Sequence, residues 1–104
     1  MNKKLDTKRL YEILATIPIG RVVTYGQLAR MLGNKNLARA VGNALHKNPD
    51  GDRYPCYKVV NGKGKLSHAY AFGGMEEQIR RLAADGISVE NDKVDLEKYG
   101  IDQQ

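Results

Sequence analysis

A chain of 104 residues has room for one domain and one modest core, since domains usually run to about 100–200 residues. Its 41% apolar and 28% charged residues suit a globular protein, and no apolar run approaches the roughly 18 residues of a membrane span. The basic start Met1-Asn2-Lys3-Lys4 leads into no apolar signal-like segment, and the one cysteine can form no internal disulfide, so a soluble cytoplasmic protein is expected. The net charge of +5 hides an asymmetry: residues 1–84 carry +9 and residues 85–104 carry −4. A basic body with an acidic C-terminal tail suits a polyanionic partner such as nucleic acid, although a lysine-rich solvated surface fits the charge equally well.

Leu10, Ile13, Leu14 and Ile17 recur at i, i+3, i+4 and i+7, which predicts a helix that Asp6 or Thr7 caps and Pro18 with Gly20 ends. Val22-Val23 reads as a short extended connection. Thr24 opens a second helix, with Gln27 completing a capping box and Gly33 supplying the C-terminal turn. After the polar turn Asn34-Lys35-Asn36, a third helix buries Leu37, Val41, Ala44 and Leu45 and turns Arg39, Asn43 and His46 outward. Two short helices about a tight glycine-containing turn make a helix-turn-helix.

Asn48-Pro49-Asp50-Gly51-Asp52 is a loop. Cys56 through Val60 has strand character, Asn61-Gly62-Lys63-Gly64 supplies a hairpin turn, and Lys65-Leu66 begin the return. A basic hairpin in that place is a wing, with Lys63 at its tip as a DNA contact. Gly73-Gly74 precede a fourth helix with Met75, Ile79 and Leu82, ended by Gly86. Ile87 and Val89, then Val94 and Leu96, suit a closing hairpin around Asn91-Asp92. The fold expected is mainly α with a small β-hairpin wing: a winged helix-turn-helix in a single domain, its core at about residues 7–99.

Third-helix residues Ala38, Ala40, Gly42 and Ala44 are small. Glycine inside a helix costs about 0.5–1 kcal/mol relative to alanine, so Gly42 needs a reason. Close approach of DNA backbone and close helix packing both supply one. Arg39 suits a phosphate contact or a group filling the gap left by an extruded base, and equally a solvated side chain. His46 suits the surface, and two histidines with one distant cysteine make no zinc pattern. Cys56 is either a buried small hydrophobe or a reactive thiol. Reactivity needs a thiol pKa lowered from about 8.5. Lys58, on the same face of a regular strand, can supply charge, whereas Tyr57, with an ordinary pKa near 10, is a poor base.

Taken together, four stretches resemble the C-terminal DNA-binding domain of O6-alkylguanine-DNA alkyltransferases and the related alkyltransferase-like proteins. They are residues 17–29, containing Ile17-Pro18-Ile19-Gly20 and Thr24-Tyr25-Gly26-Gln27; Ala38-Arg39-Ala40-Val41-Gly42-Asn43-Ala44; Asn48-Pro49; and Pro55-Cys56-Tyr57-Lys58-Val59-Val60-Asn61. The resemblance implies that Tyr25 crowds a phosphate and helps rotate the nucleotide, and that Arg39 replaces the flipped base in the stack. Ala40, Gly42 and Asn43 would meet the minor groove, and Asn48 would order the active-site turn. Cys56 would take the alkyl group irreversibly beside Pro55. It also implies that Tyr70, Ala71 and Phe72, before Gly73-Gly74, form the loop that covers the flipped base, although Phe72 capping the core fits as well.

Three departures qualify the chemistry. The family histidine after the acceptor is Tyr57, the next arginine is Lys58, and the relay glutamate matches Asp85, one methylene shorter. The alkyltransferase-like proteins typically replace the cysteine by tryptophan, whereas this chain keeps it. The expected substrate is double-stranded DNA containing O6-alkylguanine, bound by a monomer with no metal, organic cofactor or membrane. Three functions follow: an irreversible DNA-protein-cysteine methyltransferase, a non-enzymatic lesion sensor that brings in nucleotide excision repair proteins, or a winged-helix regulator with a merely buried Cys56.

Overall fold

The computed structural model describes residues 5–66 and 70–101. Residues 1–4, 67–69 and 102–104 lie outside them. Helix α1 spans Thr7–Thr16, where the Asp6 carboxylate accepts from Arg9 N at 3.1 Å and caps the first turn. Leu10 and Leu14 are fully buried on the face that the periodicity predicts. Helix α2, Tyr25–Met31, starts with the reciprocal capping box: Gln27 N donates to Thr24 Oγ1 at 3.0 Å and Thr24 N to Gln27 Oε1 at 2.9 Å. Gly33 ends it with φ of +92°, a conformation open to glycine at no steric cost. The polar turn at 34–37 is a single 3₁₀ turn over Lys35–Leu37, capped by Asn34, and it leads directly into α3, Ala38–His46.

Strands β1, Val23–Thr24, and β2, Val59–Val60, pair in parallel, Val23 opposite Val59, with the α2–α3 unit as the crossover between them. This short sheet divides two apolar clusters. Val23 and Val59 face one cluster with α1, α2 and α3, while Val22 and Val60 face the other with Leu66, Leu82, Ile87 and Val94. Helix α4, Gly74–Ala84, closes the second cluster and ends at Gly86, φ +84°.

Four local expectations change. Cys56-Tyr57-Lys58 form a 3₁₀ turn and only Val59-Val60 are strand, because Pro55 interrupts the ladder and the chain must turn out of the loop before it can pair. The turn at 61–65 closes, with Asn61 N donating to Lys65 O at 3.0 Å, but its return pairs with residues 92–94 rather than with β2. Asn91 and Asp92 make the second turn with φ of +54° and +61°, bringing Glu90 opposite Lys93, yet Leu96 belongs to a short helix α5, Leu96–Tyr99, that Asp95 caps. The acidic C-terminal segment is packed as far as Ile101: Val22 N donates to Tyr99 O at 2.8 Å and Ile101 N to Val22 O at 3.0 Å.

Candidate functional site

Helix α3 presents Arg39, Asn43 and His46 on one exposed face, spaced at i, i+4 and i+7, while Val41, Ala44 and Leu45 are buried beneath. Ala40 and Gly42 are half-buried between the two faces. A Cβ built at Gly42 would meet only Tyr25 Cε1, at 3.9 Å, an ordinary contact, so the packing of this fold does not demand glycine there. Lys63 and Lys65 are exposed on the wing turn. Asn61 Oδ1 shapes that turn by accepting from both their backbone amides, at 2.8 and 2.9 Å.

Beneath α3 lies a cavity of about 50 Å3, whose walls include Tyr25, Gly42, Cys56, Tyr70, Ala71 and Gln78. Cys56 reaches it because the loop before it is tied down. Asn48, 7% exposed, donates from Nδ2 to Tyr54 O at 2.7 Å and accepts at Oδ1 from Asp50 N at 3.0 Å. Asp50 Oδ1 in turn accepts from Asp52 N and Arg53 N, both at 3.1 Å. Tyr54 stacks on Tyr11 with ring centroids 5.0 Å apart, and Tyr11 Oη donates to Ala44 O at 3.1 Å, which fastens the loop to α1 and α3.

Burial pushes the Cys56 thiol up; a hydrogen bond from Asn48, one from the backbone and the positive field of Arg81 pull it back without reversing the shift. Burial also raises the phenols of Tyr25 and Tyr11, and the neighbouring thiolate would raise them further. The cation that favours the thiolate is therefore Arg81. Lys58, which regular strand geometry would place beside the thiol, is 3% exposed and donates from Nζ to Ile17 O at 2.7 Å.

Tyr57 and Asp85 meet each other and not the thiol. Tyr57 Oη donates to Asp85 Oδ2 at 2.6 Å, and burial followed by that carboxylate drives the phenol well above its ordinary range. Together with Pro55 they line a separate surface cleft with Ile19, Arg80 and Arg81. The 3₁₀ turn is the reason: successive side chains rotate by about 120° per residue instead of alternating, so Cys56 and Tyr57 leave toward different faces. Phe72 also misses the cavity and packs on Gly51, where a Cβ would come within 2.8 Å of its ring. Of the residues singled out in the sequence, the structure brings Tyr25, Gly42, Cys56, Tyr70 and Ala71 to one cavity, with Asn48 behind the thiol, although the resemblance implies Tyr25 and Gly42 at the DNA backbone and groove. Sequence reasoning missed Gln78 in the cavity wall and Arg81 in the field on the thiol. Gln78 carried a signal: it falls within the Met75–Ile79–Leu82 stripe of α4, a polar side chain where the helix faces the core.

A helix-turn-helix with a basic wing and a cysteine-lined cavity under its outward-facing helix is the architecture of a DNA-binding domain that can receive an extruded base. The DNA-binding domain family of 6-O-methylguanine DNA methyltransferase matches residues 6–87, and the chain belongs to that family. A bifunctional methyltransferase/endonuclease of Picrophilus torridus is 47% identical over 90 residues, 86% of this chain but 30% of that protein. A DNA base-flipping protein of Vibrio parahaemolyticus is 38% identical over 92 residues, covering 88% of this chain and 90% of the relative. Among solved structures, S. pombe Atl1 in complex with damaged DNA containing O6-carboxymethylguanine superposes with a TM-score of 0.85 at 28% identity, over 96% of this chain and 99% of that one.

Proposed function

We propose that the chain binds duplex DNA through the minor groove, extrudes an O6-alkylated guanine and holds it in the Cys56 cavity as a DNA-repair protein. The observation that carries this is a Cys56 cavity walled by Gly42, Leu45 and His46 of the same helix that exposes Arg39 and Asn43, with no packing need for glycine at position 42. In this reading α3 meets the groove, Arg39 enters the stack where the base has left, and Tyr25 crowds the neighbouring phosphate. Lys63 supplies non-specific phosphate contact from the wing. Binding without transfer is the primary activity, because the thiol is held protonated and the residue after it is bonded to Asp85.

A second reading, alkyl transfer, has its own support in the bond from Asn48 and the field of Arg81 on the thiol. Cys56 would lose its proton to solvent, its sulfur would bond the alkyl carbon as the carbon–O6 bond broke, and guanine would leave and take up a proton. Incubation with a duplex bearing O6-methylguanine, followed by intact-mass measurement, separates the two. Binding tighter than to the undamaged duplex with no added mass supports the sensor. A gain of one methyl, abolished in Cys56→Ser, supports transfer. Equal affinity for damaged and undamaged duplexes at one salt concentration would sink both. Recruitment of nucleotide excision repair proteins is the consequence expected of a sensor that leaves the lesion unrepaired.

A further inference from the structure

Among the described residues, three buried side-chain polar atoms have no hydrogen-bond partner: Gln27 Nε2, Tyr70 Oη and Gln78 Oε1. Native folds rarely leave such atoms unpaired without cause. Two of the three belong to residues that line the Cys56 cavity. Gln78 is 3% exposed, and its amide nitrogen donates to Tyr57 O at 3.0 Å and Val59 O at 3.3 Å. Both partners are carbonyls and only accept, so the nitrogen must face them and the oxygen is left as a pure acceptor. The cavity, about 50 Å3, takes a few waters and falls well short of the roughly 300–1,000 Å3 of ordinary ligand sites. A base therefore widens it on entry and reaches atoms that are sealed in the empty state.

We infer, resting on the lesion-flipping reading above, that Gln78 Oε1 accepts a hydrogen bond from an exocyclic amino group of the flipped base while Tyr70 Oη bonds a ring nitrogen beside it. O6-alkylation removes the N1 proton of guanine, so the 2-amino group is the remaining donor on that edge, flanked by N1 and N3 as acceptors. A side-chain acceptor and a hydroxyl lining one cavity match that order. Gln78 is thus a specificity-determining residue that selects purines carrying the amino group.

The test compares three duplexes of one sequence at one salt concentration, carrying O6-methylguanine, O6-methylhypoxanthine (the same base without its 2-amino group) or guanine. The unmodified protein binds O6-methylguanine about tenfold more tightly than O6-methylhypoxanthine, the size expected when one buried acceptor is left unpaired. Gln78→Met removes both the acceptor and the tether to Tyr57 and Val59. Gln78→Lys keeps donors for those carbonyls but offers no acceptor. Both variants bring the ratio close to one, and because each ratio compares two duplexes on the same protein, a uniform loss of affinity cancels. A ratio that persists in Gln78→Lys, or that is already near one in the unmodified protein, overturns the inference and leaves the lesion reading standing. Equal affinity of the unmodified protein for O6-methylguanine and guanine overturns the lesion reading, and this one with it.

Discussion

Replacing Gly42 by alanine separates folding from function at one atom. Gly42 lies inside α3, where alanine is favoured over glycine by about 0.5–1 kcal/mol. The new methyl would sit 3.9 Å from Tyr25 Cε1 and meet nothing closer, so no clash offsets that gain. For a domain of about 100 residues the melting temperature should rise by about 3–6 °C. The same methyl projects at the wall of the Cys56 cavity, between α3 and the tyrosine assigned to the phosphate. A base seated there would feel it as overpacking of about 1–3 kcal/mol, a loss of about fivefold to somewhat over a hundredfold in lesion affinity. Thermal melts and titration with a lesion duplex, on the same preparation, read both numbers. A variant that melts higher and binds the lesion unchanged would show that Gly42 has no part in the site. A variant that melts lower would refute the claim that the fold tolerates a side chain there.

Further outcomes follow from the same geometry. Asn48→Ala leaves Tyr54 O and Asp50 N without their side-chain partner and should lower stability by about 2–3 kcal/mol, read as the shift in denaturant midpoint; a change below about 0.5 kcal/mol would mean that the loop does not depend on it. Tyr57→Phe removes the bond to Asp85 in the outer cleft, so the melting temperature should fall while lesion affinity stays the same; a large loss of affinity would place Tyr57 in the lesion site after all. The phenols of Tyr57 and Tyr70 are held above their ordinary range, Tyr70 pushed up to about 12. The folded state then keeps protons that the unfolded chain releases near pH 10, so this stability is complete below about pH 10 and is lost as pH rises toward about 12. Melts across that window should show the decline, and the double variant Tyr57→Phe, Tyr70→Phe should flatten it; an unchanged slope would refute the assignment. If Cys56 transfers an alkyl group at all, its rate should climb about tenfold per pH unit through neutrality, because burial keeps the thiolate scarce; a plateau below pH 7 would contradict the raised thiol.

The features legible in the chain were those that neighbouring residues decide. The capping box at Thr24 and Gln27, the glycine stops at Gly33 and Gly86, and the apolar stripe of Leu10 and Leu14 depend on contacts within a turn or two, and each forms where expected. The outward face of α3, with Arg39, Asn43 and His46, follows from helical spacing alone. The family resemblance likewise implied that Asn48 orders the turn before Cys56, and Asn48 bonds Tyr54 O and Asp50 N there. What local pattern could not decide was direction across space. Strand periodicity put Lys58 beside Cys56, and family position put Tyr57 and Asp85 behind it. A 3₁₀ turn after Pro55 sends Tyr57 and Asp85 to a different cleft from the thiol and buries Lys58 against Ile17 O. Gln78 comes to the cavity, and Arg81 into electrostatic reach of the thiol, from α4, more than twenty positions along the chain, and the wing's return finds residues 92–94 rather than β2. Side-chain periodicity records which face a residue prefers. Which other segment meets that face is decided by packing the two apolar clusters on either side of β1 and β2, and that is a property of the folded chain as a whole.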